Sequence, residues 1–396
     1  MSKILSLLSS NKFMLRNMVL VKRIIIRSFL LVSRLKPIDK NKVIFTNFTG
    51  RGFGDNPKAV AEKLHELYPD ADIVWTVKGQ AEKTLPEYIR SIPYDSLTYY
   101  KEMATAGVWV NNCRISAAMI KRKGQLYVQL WHGGVPLKKI EKDTERTLEK
   151  SYIEHARHDS SIIDIIISGC DYFTDIVKKS FWYNGEILEC GTPRLDGIFN
   201  VSPEKAVEIR KNAGWAQDKK VILYVPTFRA DLSTDCYRID FEAVLDALEK
   251  KTGDKWIFAV RLHPNLAEKA DFINYSDRVL NATPYPDLYE LLPVCDAVVS
   301  DYSSVMFEAG MIGKTVFLYA TDIEDYKKDR ELYFEMNELP FVLAENNDEF
   351  IAAVRDFDKE KYESELNAFN KEMNYCENGN SSAIIAERII RHITNG

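Results

Sequence analysis

Short apolar runs alternate with helical stretches from Pro37 onward, and this alternation constrains the fold more than any other feature of the sequence. In the first half of the chain we predict strands at residues 42–48, 72–77, 108–111, 126–130 and 162–168. Helices lie between them, and one of these begins with Pro57 in its first turn and runs to about Tyr68. Strands that alternate with helices in this way form a parallel sheet with helices on both faces.

A second set of strands and helices begins after about Asn200. We predict strands at 221–225, 256–262, 297–300 and 315–318, and helices at 203–212, 241–251 and 381–393. The two sets predict two Rossmann-like, doubly wound domains that face a shared cleft, which is the architecture called GT-B. We therefore divide the chain into segments 1–36, 37–200, 201–375 and 376–396, and we expect the last to pack back on the first domain.

The beginning of the chain is basic and apolar. The first 36 residues carry eight Lys or Arg residues and no Asp or Glu, although the whole chain has a net charge of −5. The apolar runs are too interrupted by charge to span a bilayer, and no signal-peptide cleavage site follows them. Two amphipathic helices on an anionic membrane surface fit this pattern, and the alternative is a basic helix packed on the protein's own body. Because the rest of the chain is acidic, nucleic acid is not expected as a partner.

The six cysteines are widely scattered and form no CxxC pair. This distribution gives no zinc signature and no disulfide framework, so a reducing cytosol is expected. No group of carboxylates has the spacing of a metal site. We therefore expect that the protein requires neither a metal nor another cofactor.

Four polar segments follow predicted strands, at the ends where open α/β sheets bind ligands. The first is 129–139, in which His132 precedes Gly133 and Gly134 on backbone that a ligand can approach closely. A neutral imidazole there suits a general base, because its pKa lies near the working pH. The alternative is a turn in which His132 caps backbone groups.

The second and third segments carry side chains that could bind phosphate. The hydroxyl of Thr227 could donate a hydrogen bond to phosphate, and the guanidinium of Arg229 could bind two phosphate oxygens at once. His263 precedes a proline that ends its strand, and an imidazole at that sheet edge could stabilise phosphate charge. The alternatives are a surface arginine on a loop and a structural histidine.

The fourth segment is a strand that turns into a helix over residues 297–308. The N-terminus of such a helix favours an anion, and Ser303 and Ser304 add hydroxyl donors. Glu308 lies one helical turn after Ser304 and could reach a ribose hydroxyl, whereas Asp301 is expected to hold the turn. The alternative is an ordinary capped helix of the core.

Together these segments resemble the CDP-glycerol glycerophosphotransferases of teichoic acid synthesis, the TagB/TagF type. The resemblance runs from about Gly54 to Pro340, and the order and spacing of its motifs are specific. The motifs are Gly54-Asp55-Asn56-Pro57-Lys58, Trp131-His132-Gly133, Pro136-Leu137-Lys138-Lys139, Gly191-Thr192-Pro193-Arg194-Leu195-Asp196, Pro226-Thr227-Phe228-Arg229, Arg261-Leu262-His263-Pro264, residues 300–308, residues 325–330 and Tyr333-Phe334.

The resemblance implies an activity and its partners. It implies a GT-B enzyme peripheral to the cytoplasmic face of a bacterial membrane, with the acceptor bound by domain 37–200 and the donor by domain 201–375. The implied donor is CDP-glycerol, with CDP-ribitol as an alternative, and the implied acceptor is a polyprenyl-diphosphate-linked saccharide. His132 would be the base and His263 would lie near the donor phosphates, while Gly133, Lys138 and Arg194 belong to the shared motifs.

The expected reaction is attack by an acceptor hydroxyl on the glycerol-bearing phosphorus, with loss of CMP. Two rival interpretations remain: a GT-B glycosyltransferase that uses a nucleotide sugar, and a catalytically silent membrane scaffold of a polymer-synthesis complex. The sequence leaves open whether one unit or many are added, whether the product is wall teichoic acid or a capsular polymer, and which oligomeric state the protein adopts.

Overall fold

Two parallel β-sheets, each covered by helices, form the two halves of the molecule. The computed structural model describes residues 12–79, 85–229, 234–263, 266 and 272–395. The sheet of the N-terminal domain has the strand order β3-β2-β1-β4-β5-β6-β7. Its strands are β1 Asp39–Thr46, β2 Asp72–Val77, β3 Arg90–Pro93, β4 Ala106–Asn111, β5 Leu126–Gln129, β6 Ile165–Ser168 and β7 Glu186–Glu189. Its helices are α1 Lys12–Ser33, α2 Asp55–Leu67, α3 Leu97–Thr105, α4 Lys150–Ile162, α5 Asp171–Ser180 and α6 Asp196–Phe199.

The sheet of the C-terminal domain has the order β10-β9-β8-β11-β12-β13, and all its neighbouring strands are parallel. Its strands are β8 Lys220–Tyr224, β9 Trp256–Val260, β10 Val279–Asn281, β11 Ala297–Ser300, β12 Thr315–Tyr319 and β13 Val342–Ala344. Its helices are α7 Pro203–Asn212, α8 Phe241–Thr252, α9 Leu288–Leu291, α10 Val305–Met311, α11 Ile323–Asp329, α12 Asn347–Arg355 and α13 Lys359–Met373. The last helix, α14, covers Ser381–Asn395.

The central strands explain why the chain adopts this arrangement. Every residue of β4, β5, β9 and β11 is buried, as expected of parallel strands covered on both faces. The predicted GT-B fold, with two doubly wound domains facing a cleft, is confirmed. Because the carboxyl ends of the parallel strands of both sheets point to the space between the domains, the loops that follow them form the cleft walls.

The final segment of the chain returns from the C-terminal domain to the N-terminal one. Helix α14 packs against α2, and Ile385 and Ile389 are buried in the same core cluster as Val60 and Leu64. The domain assigned to 201–375 is therefore followed by a helix that completes the other domain.

The two chain crossings between the domains lie side by side. The carboxylate of Asp196 accepts hydrogen bonds from the backbone N–H groups of Ser381 at 2.9 Å and Ser382 at 2.7 Å. Gly379, at a φ of 75°, lies against the side chain of Asn200 and leaves no space there for a Cβ atom. One carboxylate thus binds the outgoing connection to the returning one.

Helix α1 differs from the prediction of two amphipathic helices in residues 1–36. Its described part is one continuous helix from Lys12 to Ser33, and residues 1–11 lie outside the described residues. Ile26 and Leu30 are buried against α3. The opposite face exposes Leu20, Val21, Ile24, Ile25, Leu31 and Val32, each by more than half of its area. Within the described residues, no helix is long and apolar enough to cross a membrane.

Candidate functional site

A cavity of about 590 Å³ lies between the two domains and brings together seven of the residues predicted for the site. From the N-terminal domain it is lined by His132, Gly133 and Lys138, and from the C-terminal domain by Thr227, His263, Ser303 and Ser304. The other four predicted residues, Arg194, Arg229, Asp301 and Glu308, lie behind these walls and are paired with protein groups.

His132 presents an imidazole whose tautomer is defined by its surroundings. Its Nδ1 lies 2.7 Å from the carbonyl oxygen of Asn112. Because a carbonyl can only accept, Nδ1 carries the proton and Nε2 keeps its lone pair. The imidazole is open to the cleft, but the surrounding walls desolvate it and lower its pKa below the ordinary histidine value. A neutral imidazole with a free lone pair is the form that a general base needs.

The backbone before His132 is strained and braced. Trp131 has a φ of 51°, in the left-handed region that bulky residues rarely adopt. Its N–H donates to Oε1 of Gln129 at 3.0 Å, and its carbonyl accepts from Nδ2 of Asn56 at 3.1 Å. Buried side-chain amides thus hold the turn that aims His132 into the cavity.

The opposite wall is organised by Asp301. One carboxylate oxygen accepts from the N–H groups of Thr227 at 2.7 Å and Tyr302 at 2.6 Å, so Asp301 holds the turn as predicted. The hydroxyl of Thr227 is buried and has no hydrogen-bond partner among the described residues. Ser304 precedes α10 without a side-chain capping bond. This wall therefore offers hydroxyl groups to a ligand in the cavity.

Arg229 lies behind that wall, which corrects the prediction that it faces phosphate. Its guanidinium forms two hydrogen bonds with Asp322, at 2.7 and 3.0 Å, and an ion pair with Asp301 at 2.9 Å. The rings of Tyr302 and Tyr326 cover it at 4.8 and 5.2 Å. In this arrangement Arg229 stabilises the Asp301 turn.

Glu308 is also placed differently from the prediction. Its carboxylate pairs with Arg194 at 2.5 Å, and both side chains are about 95% buried. A buried ion pair explains why this carboxylate does not line the cavity, where a ribose hydroxyl would have to lie. Arg194, predicted as a secondary member of the site, links Glu308 to the N-terminal domain.

His263 and Lys138 complete the cavity from opposite walls. The ring of His263 lies 5.3 Å from that of Phe228, and desolvation lowers its pKa. Lys138 lies in a segment that pairs with Leu332 of the other domain. Desolvation also lowers the pKa of Lys138, to about 8, so its ammonium is still mostly charged at neutral pH.

The residue that orients His132 was missed from the sequence. Asn112 directly follows a predicted strand, as the four candidate segments do. It contacts His132 through its backbone carbonyl and not through its side chain. The polar pair at residues 111–112 was the available signal. Among the described residues, no group of three or more His, Cys, Asp or Glu side chains is placed to hold a metal ion.

Comparison with known proteins gives a consistent result. The family described as CDP-glycerol:poly(glycerophosphate) glycerophosphotransferase matches residues 28–391. The teichoic acid glycerol-phosphate transferase of Staphylococcus aureus is 30% identical over 397 residues, covering 96% of this chain and all of that protein. The teichoic acid poly(glycerol phosphate) polymerase of Staphylococcus epidermidis is 30% identical over 365 residues, and this chain spans about half of its length.

A solved structure agrees with these sequence relatives. A variant of the wall teichoic acid polymerase TagF soaked with CDPG superposes with a TM-score of 0.83 at 29% identity, over 96% of each chain. The likeness therefore covers both domains and the cavity between them. On these grounds the chain belongs to the CDP-glycerol:poly(glycerophosphate) glycerophosphotransferase family.

Proposed function

We propose that this protein transfers glycerol phosphate from CDP-glycerol to a lipid-linked acceptor in teichoic acid synthesis and releases CMP. Family membership and the CDPG-soaked TagF variant support the donor. The observation that carries the proposal is the cavity itself, in which one imidazole of fixed tautomer faces a wall of hydroxyl groups.

The donor diphosphate fits the C-terminal wall. The hydroxyl of Thr227, which has no partner in the described part of the chain, would donate to its oxygens together with Ser303 and Ser304. Lys138 would add a positive charge from the opposite side, and His263 would lie beside the diphosphate. Hydroxyl and ammonium donors around a phosphoryl group stabilise charge without covalent chemistry.

His132 would act on the acceptor. Nε2 would take the proton from an acceptor hydroxyl, and that oxygen would attack the glycerol-bearing phosphorus as the bond to CMP breaks. The hydrogen bond from Nδ1–H to the Asn112 carbonyl stabilises the imidazolium that forms. Most of the rate enhancement would come from positioning the two substrates in line.

The acceptor implies that the enzyme works at a membrane. The exposed apolar face of α1 would lie on an anionic leaflet at the cytoplasmic face, with the exposed Lys22 beside it. The same helix is anchored to the body by Ile26 and Leu30 on its other face. The cavity would then be held beside its lipid-linked substrate.

A donor screen tests the activity. The full-length protein is mixed in a single turnover with a synthetic lipid-linked disaccharide carrying one glycerol phosphate, and with CDP-glycerol, CDP-ribitol or UDP-sugars in separate reactions. We expect CMP release and a mass increase of one glycerol phosphate with CDP-glycerol. Transfer of a sugar from a UDP-sugar would show the rival glycosyltransferase, and no transfer from any donor would favour the scaffold.

Vesicle sedimentation tests the membrane role of α1. Replacing Ile24, Ile25 and Leu31 by Ser should weaken binding to anionic vesicles at least 10-fold, because each exposed apolar side chain that leaves water contributes on the order of 1 kcal/mol. Val207→Ser is the matched control, since Val207 is equally exposed on α7 of the other domain. Equal binding by the triple variant and the control would reject this role.

A further inference from the structure

Arg194 joins the two domains at one point. Its Nη1 donates to Asp55 at 2.8 Å and to the backbone carbonyl of His132 at 2.9 Å, both in the N-terminal domain. Its Nη2 donates to Glu308 of the C-terminal domain at 2.5 Å. The guanidinium also lies 4.9 Å from the ring of Tyr289, which belongs to the same domain as Glu308. One buried side chain therefore contacts both walls of the cavity from behind.

The groups that Arg194 contacts are connected directly to the cavity on each side. His132 carries the imidazole that faces the cavity, and Arg194 binds the carbonyl of that same residue. Glu308 lies in α10, one turn after Ser304, which lines the opposite wall. The His132 imidazole and Ser304 are thus connected through the backbone of His132, the guanidinium of Arg194 and the helical turn between Glu308 and Ser304.

The chemistry of the contact favours a fixed geometry. A guanidinium is planar and holds its donors in a rigid fork, so it fixes distance and angle together. The pair is nearly inaccessible to solvent, with the Arg194 side chain 4% exposed and that of Glu308 5% exposed. A charged pair in such a place is costly to separate, because each charge would remain buried without its partner.

We propose that Arg194 and Glu308 form a positioning latch that sets the distance between His132 and the donor wall. Neither side chain touches substrate; both act through the residues that do. This inference rests on the proposed function, and it predicts that breaking the latch slows transfer without weakening the donor complex, since the donor groups on the C-terminal wall keep their own supports.

The test is a double-mutant cycle with Arg194→Lys, Glu308→Gln and the double variant. Lysine lacks the rigid fork with which Arg194 binds Asp55 and the His132 carbonyl through Nη1 and Glu308 through Nη2. We expect kcat to fall on the order of 10²-fold in Arg194→Lys, the loss typical of a misplaced reacting group. We expect about a 10-fold fall in Glu308→Gln, whose amide still accepts a hydrogen bond but lacks the charge.

Three outcomes of this cycle decide the proposal. The Kd for CDP-glycerol, measured by calorimetry, should stay within about 3-fold of the wild type, and the double variant should be no slower than Arg194→Lys, because both changes break the same link. A Kd that rises as kcat falls would make these residues donor ligands or general structural supports and would overturn the latch. Unchanged kcat, or multiplied losses in the double variant, would overturn it too.

Controls separate this proposal from the function on which it rests. Lys139–Glu331 is also an ion pair between the domains, at 2.8 Å, but it is exposed, and Glu331→Gln should leave kcat unchanged.

If Arg194→Lys does not fold, Glu308→Gln alone carries the test. If the wild type neither binds CDP-glycerol nor releases CMP, the proposed function fails and the latch with it. If the wild type is active and the folded variants match it, only the latch fails.

Discussion

The wall of the cavity in the N-terminal domain differs from the wall in the C-terminal domain in how its polar groups are satisfied. In the first, His132 is fixed through Nδ1 and its loop is braced by the amides of Asn56 and Gln129. In the second, the backbone turn is fixed by Asp301, but the hydroxyl of Thr227 has no partner among the described residues. One wall holds a single group in a defined state, and the other keeps donors available.

This difference assigns separate tasks to the two walls. A group held in one orientation suits a chemical step, because it is already aligned when the substrate arrives. Donors without internal partners suit binding, because the ligand supplies the missing acceptors. Substitution of His132 in the first wall should therefore change kcat, and substitution of Thr227 in the second should change donor affinity.

The largest effect is expected from His132→Ala. Loss of a general base typically lowers the rate about 10²- to 10⁴-fold, whereas the fold and the Kd for CDP-glycerol should be retained. Steady-state turnover and calorimetry measure the two quantities. His155→Ala provides the control, since His155 lies on α4 and does not line the cavity. Normal turnover by His132→Ala would show that this histidine is not the base.

The pH dependence of the wild type sharpens the same assignment. Desolvation lowers the pKa of His132, so the neutral form persists below the ordinary histidine value of 6.5. We expect kcat to reach half of its maximum at a pH below 6.5, as the imidazole becomes protonated. A half-maximal point above pH 6.5 would contradict a desolvated base.

His263→Ala should give the next largest effect and tests the binding wall. The imidazole lines the cavity beside Phe228. We expect both donor affinity and kcat to fall, each by about 10-fold, as for loss of a hydrogen bond to a charged group. Donor titration and turnover at saturating donor separate the two losses. If neither changes, His263 does not belong to the site.

Lys138→Met should weaken donor binding about 10-fold near neutral pH, by removal of a charge-assisted contact. Because the pKa of Lys138 is about 8, the ammonium loses its charge as the pH rises through that value. The KM for CDP-glycerol in the wild type should therefore rise above pH 8, and in Lys138→Met this rise should disappear. The neighbouring Lys139→Met is the control; a pH-dependent rise that survives in Lys138→Met would assign it to another group.

The smallest effect is expected from Thr227→Val, which removes the hydroxyl group and keeps the shape of the side chain. Donor affinity should fall about 5-fold, the effect of losing one hydrogen bond worth about 1 kcal/mol. The thermal midpoint should not fall, because this hydroxyl bonds to none of the residues that the structure describes. Thr76→Val gives the opposite pattern: its hydroxyl bonds to that of Thr46, so stability should fall while donor affinity stays the same.

The central strands of both sheets could be predicted from the sequence, whereas the edge strands could not. Predicted strands correspond to β1, β2, β4, β5 and β6 in one domain and to β8, β9, β11 and β12 in the other. The four strands without a prediction, β3, β7, β10 and β13, are the outermost strands of the two sheets. They have three or four residues and are partly exposed, so they lack the continuous apolar run that marks a buried parallel strand.

The positions of candidate residues were easier to predict than their partners. The rule that ligands bind at strand carboxyl ends located His132, Thr227, His263 and Ser303 on one cavity. It did not locate Asp322, one of the two carboxylates that bind Arg229, because Asp322 lies 93 residues further along the chain. A guanidinium suits phosphate and carboxylate equally well, so only the folded chain distinguishes the two uses.

The pairing of the two chain crossings by Asp196 has a mechanical consequence. Because the outgoing and returning connections are bound to each other, the two covalent crossings between the domains lie along one line. Rotation about that line displaces each group in proportion to its distance from it. Arg194 lies two residues from Asp196, so a small error there becomes a larger error at the outer rim of the opening. If one connection were cut, the other would still join the two domains at the same place.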